Sequence, residues 1–219
     1  MDYRRVDGQL FCHDVEKSKK ELLRKLGGRV KNHYEHIKNR NSNLNTEFLK
    51  IYGFCCVYCG LNSRLFNSRT GLEVDHFICE SSFKTVKDGK EIIDHIKAGN
   101  INNLVSACSL CNRRKSNLII SNQVASILNI DQNLISNVFM RDNRTFKILI
   151  KEEYKNNKEI LKFYNKLNLG SDLKRLEYLG LKIDNIINTK AMDNENKAKL
   201  QEILLILIRK HNITYDIML

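Results

Sequence analysis

Four of the seven cysteines fall into two C-x-x-C knuckles, Cys56 with Cys59 and Cys108 with Cys111. At that spacing two thiolates from one tight turn reach the same tetrahedral zinc at about 2.3 Å, so the two knuckles together read as one four-cysteine site for one structural Zn2+. Gly60, directly after the first knuckle, suits the turn. The competing reading is two unrelated turns, or buried thiols packing as small hydrophobes. The knuckles are 48 residues apart. Closing such a loop costs roughly 3.5 kcal/mol, whereas a structural zinc supplies on the order of 10 to 16 kcal/mol, so whatever folds between the knuckles is clamped at both ends. Cys12, Cys55 and Cys79 are left over and read as structural thiols. With no secretory h-region at the start of the chain, a disulfide framework is not expected.

Between the knuckles lies Glu73-Val74-Asp75-His76-Phe77-Ile78, and Asn102-Asn103-Leu104-Val105-Ser106-Ala107 runs into the second knuckle, which continues as Asn112-Arg113-Arg114-Lys115. Singly these residues say little: an Asp-His pair is commonly a solvated turn, and a lone Asn a cap. In order, however, they give knuckle, Asp-His, Asn-Leu, then a knuckle whose last Cys is followed by Asn and, three residues on, Lys. Over about residues 52 to 117 this resembles the HNH nuclease family. The resemblance implies a ββα-metal fold, with Asp75 and His76 on a hairpin and Asn112 on the helix opened by the second knuckle. It implies His76 as the base that deprotonates water, and Asn103 as the residue holding the loop that orients His76. Asp75 and Asn112 become the hard oxygen ligands of one catalytic divalent ion, Mg2+ or Mn2+. Arg113, Arg114 and Lys115 are then expected near backbone phosphates.

The sequence departs from the commonest form of that family in three places. Asn112 stands where a third His is usual, making an HNN variant with a weaker, uncharged ligand. Cys79 replaces a frequent Pro. The stretch from His76 to Asn103 is longer than typical, and its Lys84, Lys87, Lys90 and Lys97 fit either a DNA-contacting loop or inert decoration. His13, His33, His36, His95 and His211 belong to no motif and read as surface or core residues.

The elements that must position these groups follow from periodicity. Residues 14 to 26 and 29 to 40 read as basic amphipathic helices broken at Gly27-Gly28, with Lys19, Lys20, Arg24 and Lys31 mostly off the apolar stripe. Residues 72 to 78 read as a short strand, and 108 to 117 as the start of a helix. Beyond Asn117 the pattern is predominantly helical, with helices at about 153 to 168, from Ser171 to near Gly180, and from 196 to 210, the last a core or dimer helix. The expectation is an α+β, mainly helical chain: a basic helical region at 1–50, a zinc-stapled nuclease core at 51–120, and a helical region at 121–219 for DNA grip, specificity or dimer contacts.

Composition bounds the function. The 219 residues carry 37 basic and 25 acidic side chains, a net charge of +12, spread as +5, +3 and +4 over residues 1–60, 61–120 and 121–219. A polyanionic partner, DNA above all, fits that excess, although abundant Lys, Asn and Ile with no Pro or Trp also fit the bias of an AT-rich genome. The longest aliphatic run, Ile203 to Ile208, is too short to span a bilayer, so no membrane partner and a cytoplasmic location are expected. The leading expectation is a metal-dependent DNA endonuclease of restriction or phage-defence type. A homodimer and an unknown protein partner stay open. The alternatives are a non-catalytic zinc-stabilised nucleic-acid-binding module, or a nonspecific, toxin-like nuclease.

Overall fold

The computed structural model describes residues 2–6, 14–27, 30–63, 65–66 and 71–218. Cys12, His13, Gly28 and Arg29 lie outside the described residues. The chain is α+β, with ten helices and three two-stranded antiparallel pairs among those residues.

The first three helices build a platform. In α1 (Val15–Leu26) Asp14 accepts from the Lys17 amide, and in α3 (Asn43–Ile51) Ser42 accepts from the Asn45 amide, each satisfying an orphan donor of the first turn. The helix expected over 29 to 40 is shorter, α2 (His33–Ile37). Local hydrogen bonds end it: Asn39 accepts from the Asn41 amide, and the Ser42 hydroxyl donates to the Asn39 carbonyl, offering the backbone an alternative to the helix. Lys19 is not off the apolar stripe but buried, 1% exposed. Its ammonium donates to the Leu104 carbonyl at 2.8 Å and to Asp131 at 2.6 Å, tying α1 to the middle of the chain.

The centre is β1 (Leu72–His76) paired antiparallel with β4 (Leu104–Cys108), in the register Asp75 opposite Val105 and His76 opposite Leu104. The helix α5 (Ser109–Lys115) follows β4 without a loop and packs on both strands. The excursion between β1 and β4 holds the hairpin β2 (Lys84–Lys87) and β3 (Lys90–Ile93), with Asp88 and Gly89 both at positive φ in its turn, and the short α4 (His95–Ala98).

After α5 come α6 (Asn122–Ile127), α7 (Ile135–Val138) and a hairpin that periodicity did not reveal, β5 (Phe139–Arg141) with β6 (Ile148–Ile150). Three-residue strands are too short to display an alternation. Then α8 (Lys158–Leu167), α9 (Asp172–Thr189) and α10 (Asn194–Met218) close the chain. α9 does not stop at Gly180 but runs through it; the glycine is there because the Phe66 ring packs where a side chain would sit. One hydrophobic core extends from Tyr3 to Tyr215 and includes all three regions. Among the described residues, no helix is long and apolar enough to cross a membrane.

Candidate functional site

The two knuckles meet. Cys56, Cys59, Cys108 and Cys111 are all buried, with their sulfurs within 4.8 Å of one another. A regular tetrahedron with Zn–S bonds of about 2.3 Å has S···S edges of about 3.8 Å, and the Cys59–Cys108 separation is 3.9 Å. Four thiolates around that spacing can hold a metal ion such as zinc. The local chain explains the convergence. Cys108 ends β4 and is the N-cap of α5, its sulfur accepting from the Cys111 amide. The Val57 amide donates to the Ser106 carbonyl, stapling the first knuckle to β4. Gly60 closes that knuckle at φ +82°, where a Cβ would collide with the Arg4 backbone. Residues 3 and 4 then cover it: the Tyr3 hydroxyl donates to the Tyr58 carbonyl and the Arg4 guanidinium to the Val57 carbonyl.

A buried charge network, silent in the sequence, packs against this cluster. Lys174 on α9 donates to Glu177 at 3.0 Å and approaches the Cys108 sulfur at 3.8 Å. Glu177 also lies 3.4 Å from His211 of α10 and 3.8 Å from Cys59. Burial opposes the Lys174 charge, but the cysteine sulfurs and Glu177 overcome it and raise its pKa well above the usual lysine value. An ammonium here offsets part of the negative charge that four thiolates carry around a divalent ion. Its i, i+3 spacing to Glu177 reads from sequence as an ordinary exposed helix pair. Cys55 stays outside the cluster, its thiol pushed up to about 12 by burial.

The acidic side of β1 faces α5. Glu73 and Asp75, two apart, share one face of the strand, and Asn112 and Lys115, three apart, share one face of the helix. Asp75 is 5% exposed; it accepts from the Tyr58 hydroxyl at 2.6 Å and pairs with the Lys115 ammonium at 3.1 Å. Burial raises its pKa above the usual carboxylate value, opposed by Lys115 and Tyr58. Asn112 donates to Glu73 at 2.6 Å, and Glu73 also takes Arg40. The amide nitrogen being committed, the Asn112 Oδ1 is left as a free acceptor among the described residues. Oxygens of Glu73, Asp75 and Asn112 thus line the strand–helix seam, with one Asp75 oxygen taken by the Tyr58 hydroxyl and the other by the Lys115 ammonium. Glu73 and Tyr58 carried no assigned role in the sequence. Period-two spacing from Asp75 is the signal for Glu73; nothing local marks Tyr58.

Lys115 is placed differently from its neighbours. It is 2% exposed, and besides Asp75 its ammonium holds the His76 carbonyl at 2.8 Å. Arg113 is exposed and Arg114 half-buried, so these two present charge to solvent where Lys115 neutralises the interior.

His76 turns the other way. Its ring lies against Tyr34 with centroids 4.3 Å apart, and its Nε2, buried without a hydrogen-bond partner, is 3.6 Å from Glu80, which in turn lies 3.5 Å from His95. Burial lowers the His76 pKa, with Glu80 acting against it. The imidazole is thus not among the side-chain partners of Asp75, Asn112 or Lys115, although its backbone is. Asn103 locks the loop that follows. Its Nδ2 donates to the Ile78 and Ala98 carbonyls and its Oδ1 accepts from the Ile78 amide, all at 2.9 Å, while its carbonyl takes the Phe77 amide. Beside that loop, the insert and α6, an open cleft of about 810 Å³ is lined by Phe77, Phe83, Asn102, Asn122 and Lys97 among others.

Compared with protein-family models, with curated proteins and with solved structures, the chain matches none.

Proposed function

We propose that this protein is a metal-dependent endonuclease of HNH type acting on DNA, with a zinc-stapled ββα core. The observation that supports this most is convergence. β1 and α5 bring Asp75 onto Lys115 and Glu73 onto Asn112 beside a four-cysteine cluster, while Asn103, just before β4, holds the loop that follows His76, whose ring lies on the Tyr34 and Glu80 side. In this reading Asp75 and Asn112 hold one Mg2+ or Mn2+, which when bound supplies charge stabilisation for the phosphoryl oxygens and the departing alkoxide. His76 accepts the proton of the attacking water at Nε2. Its lowered pKa keeps it neutral at pH 7, as a base must be, and Glu80 at 3.6 Å steadies the imidazolium that results. Asn103 fixes the loop and hence the ring. Lys115 fixes Asp75 and the end of β1 from inside, so phosphate contact falls to Arg113 and Arg114, backed by the +12 net charge. The structural Zn2+ has no part in the chemistry and holds the core closed.

The test is digestion of supercoiled plasmid with Mg2+ or Mn2+ by the zinc-loaded protein and its His76→Ala form. Cleavage that disappears in the variant while zinc content stays at one per chain is the expected result. Discrete fragments support a restriction-type or phage-defence enzyme, and a smear a nonspecific one. Cleavage retained in His76→Ala overturns the assignment of the base. Absence of cleavage with DNA still bound favours a zinc-stabilised binding module.

A further inference from the structure

The chemistry proposed above makes no use of the open cleft of about 810 Å³ beside the loop that follows His76. Its size is that of a small-ligand site, roughly 300 to 1,000 Å³, and its lining combines rings with amides. Phe77, next after His76, packs partly on the core, whereas Phe83, at the start of the insert, lies half-buried outside it. Asn102 and Asn122 hydrogen-bond to other described residues only through their backbones, and the Asn129 side chain commits only its Oδ1, to the Gln132 amide. Their amide groups are therefore left to donate and accept. Lys20 and Lys97 line the cleft, but so do Glu16 and Asp131, so the interior is not built for a bare anion.

We infer that this cleft takes one unpaired nucleobase of bound DNA. A base is flat, uncharged and rimmed with donors and acceptors, which is what aromatic rings beside free amides recognise, by stacking and by hydrogen bonds to its edge. A fully paired duplex keeps its ring faces stacked, and a phosphate has none. The cleft adjoins the site of the nuclease reading, on which the inference rests for its DNA: the Asn103 amide that locks the loop after His76 is itself part of the wall. A base held there fixes its strand against that loop at the cost of unpairing, which is least at a bulge or mismatch.

The test uses zinc-loaded protein without Mg2+ and two duplexes of one sequence, one fully paired and one with a single bulged 2-aminopurine, titrated by the anisotropy of a distant dye and by 2-aminopurine emission. The bulged duplex is expected to bind about tenfold tighter, with its emission quenched. Phe83→Ala should bring it down to the affinity of the paired duplex while leaving that affinity and the zinc content unchanged, and Phe83→Tyr should keep the preference. Equal affinity for the two duplexes overturns the inference. So does a preference that Phe83→Ala leaves intact, or a free 2-aminopurine nucleotide that competes as well as the bulged duplex. The nuclease reading fails separately: a chain that shows the preference but cuts no plasmid with Mg2+ loses the catalysis and keeps the base site, and one that cuts without the preference does the reverse. A chain that binds neither duplex loses both.

Discussion

Replacing Lys115 by methionine keeps the aliphatic stem and removes the ammonium that Asp75 and the His76 carbonyl share. Breaking a buried pair by deleting one partner costs about 3 to 5 kcal/mol, because the remaining charge is left in the interior. Asp75 can escape by taking a proton, which at pH 7 costs about 1.4 kcal/mol for each unit above its unfolded pKa near 3.9, about 4 kcal/mol in all. The smaller penalty governs, so the expected loss is about 3 to 4 kcal/mol at pH 7. The pH dependence has a definite sign. The folded pKa of Asp75 already lies above its usual value, and losing Lys115 raises it further. The folded variant then binds more protons than the unfolded chain, so its stability grows as pH falls toward the unfolded pKa and is lost as pH rises through the folded one. Between pH 7 and pH 6 the penalty should therefore narrow by about 1.4 kcal/mol. Urea unfolding of the zinc-loaded protein without Mg2+, at both pH values, measures this. Adding Asp75→Asn to Lys115→Met should recover most of the loss. A loss below about 1 kcal/mol, or the same loss at both pH values, would refute the buried-pair argument.

Zinc analysis should give one ion per chain, and stripping it should unfold the core, since about 10 to 16 kcal/mol of binding exceeds most of a domain's net stability; a chelated chain with an unchanged unfolding curve would rule out a structural metal. Asn103→Ala should lose about 2 to 3 kcal/mol for its three hydrogen bonds at 2.9 Å, and hydrogen exchange should show the Ile78 amide losing protection. If His76 is the base, cleavage at saturating Mg2+ should stay level through neutral pH and fall only below the usual histidine range, because burial lowers its pKa. A profile that drops already above pH 7 contradicts that role. Gly180→Leu should destabilise the protein by about 1 to 3 kcal/mol through overlap with the Phe66 ring, seen as a lower Tm.

Much of the site was written along the chain, because its parts carry local signatures. The knuckles need only two residues between thiols, and β1 and α5 begin and end close to where alternation and the second knuckle place them. Short strands and long-range polar contacts carry no such mark. The β5–β6 hairpin spans three residues per strand. Lys19 looks like one more surface lysine until Asp131 and the Leu104 carbonyl are brought beside it.

By itself the sequence determined what each position can do: four thiols at zinc spacing, a carboxylate beside an imidazole, amides on either side of the second knuckle, and a net basic charge. Tertiary structure alone decided which of these groups meet. It turned Lys115 inward onto Asp75 while its neighbours Arg113 and Arg114 kept their solvent, sent His76 to the Tyr34 and Glu80 side of β1, and closed Lys174, Glu177 and His211 over the cysteines. The reason is that burial, which sets the strength of every electrostatic contact, depends on segments that lie far apart along the chain. No local pattern encodes where they dock.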